Sequence, residues 1–306
     1  MDPNLRFWRA EGQSFFQRFL LWADVLDPLL LLKSADDIRT TRLFIESSGK
    51  TLSEPIKNDQ VFWSASSVHP DTGKIIPVVF RPPGNLNPKF IFAYNLLFLQ
   101  FAFYTYTTGF ALLNGNGTTK AEEYAVQQKQ ILYGLGAISY AACVSALPYI
   151  FTNRYKLKSP LTQLVIQKFL PAPLLGLMSA FTVMVVRSPE FENGIEVMDR
   201  NGTVVGVSQK AGEKAVKETA LSRAVLFGTA SFVPAVLMHF VERAKFRRTP
   251  YSLASMRMLA ITTVIAGMLP VSLSMFPQCG EIKREDLEPE LLSSTEETEL
   301  FYNRGI

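Results

Sequence analysis

Five stretches of this chain carry no charged residue: 90–119, 131–153, 169–186, 224–241 and 258–280. A helix needs roughly 17–25 predominantly apolar residues to cross a bilayer, and each stretch is near or above that length. In lipid a backbone must satisfy its own N–H and C=O groups, which an apolar run does by forming a helix. Five such runs in one chain argue against a soluble bundle of buried helices. The expected fold class is an all-α membrane protein with about five transmembrane helices. The composition agrees, since only 19% of residues are charged, below the roughly 25% of a soluble domain.

The apolar runs divide the chain. Residues 1–88 form an N-terminal helical region, 89–280 the transmembrane domain, and 281–306 an acidic tail. Within the second part, 188–222 interrupts the helices with a hairpin and a polar helix. In the N-terminal region Trp8, Phe15, Phe19, Trp22 and Leu26 fall on one face of a helix that Asp27-Pro28 stops. Ser34 with Asp37 marks the cap of a second helix to about Glu46, and a third spans Asp59 to Val68. The pattern fits a small amphipathic domain on a membrane surface and fits an ordinary helical hairpin equally.

Charge in the loops sets an expected orientation. Arg154, Lys156 and Lys158 follow the second apolar run, and Arg243, Lys245, Arg247, Arg248 and Arg257 follow the fourth. Short basic loops stay on the non-translocated side. With five crossings, the N-terminus then shares their side and the acidic tail faces the opposite space. Pro148, Pro171, Pro173, Pro234 and Pro270 lie in or beside the runs. Each frees a carbonyl one turn back, and helices broken this way either kink for packing or line transporter sites.

Few residues suggest chemistry. Cys143 and Cys279 are far apart, as are His69 and His239, and no Ser-His-Asp set, phosphate loop or Cys-x-x-Cys pair occurs. An enzyme, a metal site and a cofactor are not expected. The net charge of +4 comes with no basic stripe of interleaved aromatics, so no nucleic-acid partner is expected either; the surrounding lipid is the expected contact. Two loops are shaped. His69-Pro70-Asp71-Thr72-Gly73 reads as a rigid turn. Arg200-Asn201-Gly202 between 194–199 and 203–206 reads as a hairpin turn.

HPDTG at 69–73, GIEVMDRNGTVVGVSQKAG at 194–212, SR at 222–223, FPQ at 276–278 and the closing FYNRGI together resemble the sideroflexin family, in order and over nearly the whole chain. The resemblance marks His69, Pro70, Asp71, Thr72, Gly73, Arg187, Arg223, Pro277 and Gln278 as family motif residues. It implies a multi-pass protein of the mitochondrial inner membrane, with the basic loops facing the matrix. Several members carry serine and related small amino acids. Their first membrane helix resembles a run rich in asparagine; here Phe103, Tyr104, Thr105, Thr107 and Ala111 replace most of its polar groups and Thr108 its alanine, while Gln100 and Asn114 remain. The third helix has Ser179 and Thr182 where the family has asparagines. A serine zwitterion stripped of water needs such amides.

Two readings follow from the resemblance. In one, shared with the branch that the PNLRFW opening and TEETELFYNRGI ending look most like, the chain supports assembly of respiratory complex I and iron–sulfur and iron homeostasis, with assembly intermediates or factors as partners. In the other it carries serine or another small amino acid or solute, with Gln100, Tyr104, Thr105, Thr107, Thr108 and Asn114 as the substrate-binding set. Trp8, Phe15, Trp22 and Trp63 are candidates for a partner surface, and Arg187 and Arg223 are placed at helix edges.

Overall fold

The computed structural model describes residues 3–48, 58–83, 97–116, 123–154, 159–243, 250–292 and 295–306. The chain opens with α1 (Pro3–Glu11) and α2 (Phe15–Val25). The periodic aromatic face had suggested one helix here. The break falls at Gly12, where a Cβ would stand 2.4 Å from the Trp8 carbonyl oxygen, so only glycine fits. Ser14 and Gln17 then form a reciprocal capping box that starts α2. The fold-back stacks Trp8 on Trp22, centroids 4.7 Å apart. α3 (Ala35–Ser48) begins at the expected Ser34–Asp37 cap, and α4 (Asn58–Ser67) matches the third expected helix.

Five long helices follow: α5 (Leu97–Asn114), α6 (Glu123–Arg154), α7 (Pro171–Val186), α8 (Gln209–Arg243) and α9 (Pro250–Ser274). A turn over Pro160–Leu164 and a π-helical turn over Val165–Phe169 precede α7. Among the described residues four spans are long and apolar enough to cross a membrane: Gln130–Thr152, Leu161–Val186, Gln209–Arg243 and Ser252–Ser274. α5 covers most of the first expected run but is not among these four, and the start of that run, 90–96, lies outside the described residues. The bundle core joins Phe103 and Tyr104 of α5, Ile138 and Ala141 of α6, Leu175 of α7, Leu226 and Phe227 of α8, and Leu269 and Leu273 of α9. Trp8, Trp22, Val25 and Leu26 enter the same core, so the N-terminal helices are built into the bundle.

The hairpin forms from β1 (Ile195–Met198) and β2 (Val204–Ser208). Gly202 takes φ +83°, and the Asp199 side chain accepts a bond from the Thr203 N–H. The hairpin is half of a larger sheet. β3 (Cys279–Lys283) and β4 (Glu299–Asn303) complete an antiparallel sheet of order β2-β1-β4-β3. Ile195, Val197, Leu300 and Tyr302 pack it onto Ala211 and Ala215 in the first turns of α8.

This arrangement brings the two chain ends together. Arg9 donates to the Arg200 carbonyl in the hairpin turn, Arg18 to the carbonyl of Ser274, and Asn303 to Asp71. The N-terminal helices and the C-terminal strands therefore share one end of the bundle, here the cap end, with Asn114, Arg187 and Ser274. The last residues of α6 and α8, Arg154 and Arg243, lie at the other, the loop end. Loop charge could not reveal this, because residues 3–83 reach the cap end before α5 begins. Counted over residues 1–83, ten basic residues balance ten acidic ones, so the region has no charge bias to oppose that placement.

Candidate functional site in the helix bundle

The family motif residues come together at the cap end. Arg187 closes α7 and forms a forked pair with Glu190, its Nη2 lying 2.8 Å from Oε2. Both are buried, at 2% and 3% exposure. Arg187 also donates to Thr219 of α8 and to the Arg304 carbonyl. The Asn116 amide adds a bond to Glu190. Gly305 holds φ +70°, and a Cβ there would lie 2.8 Å from Arg187 Nη2, so the last residues pass directly over the guanidinium. The Ile306 N–H donates to the Asn114 carbonyl at 3.0 Å. The side chains expected at helix edges are thus enclosed: neither Arg187 nor Arg223 reaches an interface, because each is almost fully covered by neighbouring helices.

Arg304 lies against the end of α9 and donates to the carbonyls of Leu273 and Phe276. Together with Arg18 it satisfies carbonyls that a helix C-terminus leaves free. Burial lowers the Arg304 guanidinium to about 10, which leaves it charged at neutral pH. Gln278 binds Asn303, and the Gln278 carbonyl accepts from the Arg304 N–H. Pro277, half-buried, sets the turn before β3.

The HPDTG turn closes the same assembly. His69 Nδ1 accepts from the Asp71 and Thr72 N–H groups, so its proton sits on Nε2, which faces the Gly115 carbonyl at the end of α5. Gly73 supplies the positive φ of the turn, +65°, and Pro70 sits half-buried at its head. Asp71 Oδ1 accepts from Asn303 at 2.8 Å. Glu190, Thr219, Asn303 and Arg304 complete the cluster; Asn303 and Arg304 lie in the closing FYNRGI run, while Glu190 and Thr219 were not singled out by sequence. Only the i, i+3 spacing of Arg187 and Glu190 was a readable signal.

The six residues expected to bind substrate do not form one site. Thr105 is exposed on the outside of the bundle and bonds the Phe101 carbonyl. Thr107 bonds the Tyr104 carbonyl, and Asn114 bonds the carbonyls of Phe110 and Phe80. Tyr104 is fully buried, its hydroxyl 2.6 Å from Ser145. Thr108 is buried one turn from Tyr104, with its hydroxyl unpartnered. Of the six, Gln100 lines a cavity between the long helices.

That space is a cavity of ≈ 450 Å³ between the helices, lined by Gln100, Ser145, Pro148, Pro171, Pro234 and Arg257 among others. Three helix-interrupting prolines and the π-helical turn border it, which places the irregular backbone where water can satisfy it. Lys168, Glu242 and Arg257 stand at its loop-end mouth, where Glu242 pairs with both cations. Leu175, which also lines it, belongs to the core cluster of Phe103, Tyr104 and Phe227. The partner-surface candidates are reduced as well. Trp8 and Trp22 are buried in the core, Trp63 lies under Lys33 with 4.0 Å from Nζ to the ring centroid, and Phe15 is exposed.

Residues 3–306 match the family model described as Sideroflexins. The chain is 44% identical to Sideroflexin-4 of Danio rerio over the whole of both chains. It is 34% identical to Sideroflexin-4 of Homo sapiens over all of this chain and 93% of that protein. Identity to Sideroflexin-5 of Homo sapiens is 29% over 97% of this chain and 91% of the relative. No solved structure matches.

Proposed function

The chain belongs to the sideroflexin family, and from that premise we propose that it is a mitochondrial inner-membrane protein that supports assembly of respiratory complex I, and through it iron–sulfur and iron homeostasis, and that it does not carry serine. The observation behind the reading is the state of the amide positions. Phe103, Tyr104 and Ala111 are buried apolar packing in α5, while Thr107 and Thr182 turn their hydroxyls to backbone carbonyls of their own helices. Such groups offer little to an ammonium and a carboxylate that have lost their water. The complex I assignment itself rests on the family resemblance. The test is rescue of cells lacking this protein. Re-expression of the chain should restore complex I abundance and NADH-driven respiration, and a serine-carrying relative should not. Equal rescue by both would overturn the reading.

The cavity at the loop end supports a second reading, a carrier for another small solute. Its ≈ 450 Å³ lie within the roughly 300–1,000 Å³ of small-molecule sites, and Gln100 Oε1 on its wall has no partner. Purified protein in liposomes separates the two readings. The first predicts no saturable uptake of serine or of other small amino acids, and saturable uptake of one of them would favour the second.

A further inference from the structure

The cavity at the loop end holds charge at a depth where charge is costly. The charged residues that line it are Lys168, Glu242 and Arg257, and each lies inside a candidate membrane span. Lys168 is seven residues from the start of its span, Arg257 five from the start of its own, and Glu242 one from the end of a third. At about 1.5 Å per residue none is more than about two turns from the loop end, the depth of lipid headgroups and the first acyl carbons. Ionisable side chains inside a membrane span are expensive and mark functional positions.

The charges do not balance. Glu242 pairs with Lys168 and, at 3.8 Å, with Arg257. It is the only acid among the described residues that line the cavity, so two cations share one carboxylate and one positive charge is left over. The rest of the lining is mostly apolar, with Ile166, Leu175, Pro234, Met238 and Ile261. Two of its hydroxyls are already engaged, Ser145 with Tyr104 and Thr152 with the Pro148 carbonyl. The cavity also opens sideways. Tyr149 of α6 lines it and is 60% exposed. α6 packs on α5 and α7, whereas α9, which brings Arg257 and Ile261 to the cavity, packs on α8 and α2. The opening beside Tyr149 leads to the surface of the bundle that lipid covers.

We propose that this cavity seats one anionic phospholipid, its phosphodiester at Lys168 and Arg257 and part of an acyl chain along the apolar wall. The phosphodiester's single negative charge answers the one left over, and basic pockets between membrane helices hold anionic headgroups in this way. A free anion would use the charges and leave the apolar wall without an occupant. A zwitterionic phospholipid adds a cation of its own, for which the shared carboxylate of Glu242 has no capacity. The site needs no transport step and is independent of the complex I reading; a lipid seated there takes up the space that the carrier reading gives to a solute.

The test uses the full-length protein purified in detergent and titrated in mixed micelles with phosphatidylglycerol or with phosphatidylcholine of the same chains. A ligand that binds only the folded state raises the melting temperature saturably. Phosphatidylglycerol should give that rise, and native mass spectrometry should count one bound lipid. Phosphatidylcholine, inorganic phosphate and glycerol 3-phosphate should give none. Glu242→Gln releases both cations to the lipid and should lower the half-saturating fraction about fivefold. Lys168→Gln with Arg257→Gln should abolish the response. Should that pair fail to fold, Ala235→Phe fills the cavity and leaves its charges, and should raise the half-saturating fraction about tenfold or more. No rise with phosphatidylglycerol, an equal rise with phosphatidylcholine or with either free phosphate, a response kept by the double variant, or an unmoved midpoint in Glu242→Gln or Ala235→Phe would each overturn the proposal.

Discussion

Arg187 and Glu190 meet in a place where neither would be stable alone. Desolvating a charge costs several kcal/mol, and a buried pair recovers this only when its remaining donors and acceptors are also met. Here they are, by Thr219, Asn116 and the Arg304 carbonyl. Glu190→Gln leaves a buried guanidinium without its counter-charge and should cost about 3–5 kcal/mol, seen as a lowered melting temperature in detergent. Arg187→Met combined with Glu190→Leu removes both charges and should cost less than Glu190→Gln alone. If the double variant were the worse of the two, the pair would not be what holds the cap end together. The same physics explains why this residue pair hides in the sequence. An arginine after an apolar run reads as a snorkelling interface residue, and the cover that buries it arrives from Arg304, 117 positions later.

At the scale of elements, local signals were legible and long-range ones were not. The Ser34–Asp37 cap, the Asn201-Gly202 turn and the apolar runs each write their structure into a few adjacent residues. The Gly12 break did not show, because the aromatic face stays in phase across it and only the Trp8 carbonyl makes glycine necessary. The tail read as a run of acids, although Leu300 and Tyr302 on β4 and Ile282 on β3 are core residues of the sheet. β4 lies between β1 and β3, so its loss should leave β3 without a partner. Cys279 on β3 reports on this. Burial pushes its thiol up to about 12, which leaves almost no reactive thiolate near pH 8. In a Cys143→Ser background, N-ethylmaleimide at pH 8 should label Cys279 slowly in the full chain and many times faster after deletion of residues 299–306. Equal rates would mean that the sheet does not shield the thiol.

For the whole molecule, the membrane turns this arrangement into a statement about sides. The cap end gathers α1 to α4, the HPDTG turn, the hairpin and the final strands. The bonds that join them, Arg9 to Arg200, Asn303 to Asp71 and Arg304 to the end of α9, span up to 232 positions of sequence. Such contacts cannot form across a bilayer, since no described segment other than the helices spans it. The contacts therefore put both chain ends on one side of the bundle, and Arg154 and Arg243, which end α6 and α8, on the other. Arg and Lys in short loops stay on the non-translocated side; under the mitochondrial location proposed above, the expected outcome is both chain ends in the intermembrane space. Mitochondria with a ruptured outer membrane and an intact inner one give the measurement. Added protease should remove an N-terminal tag and a C-terminal tag alike, and should spare a tag placed between Arg243 and Pro250. Loss of the C-terminal tag with an intact N-terminal one would separate the two ends. The core that joins Trp8 and Trp22 to Leu269 and Leu273 could not then exist in the membrane-embedded protein.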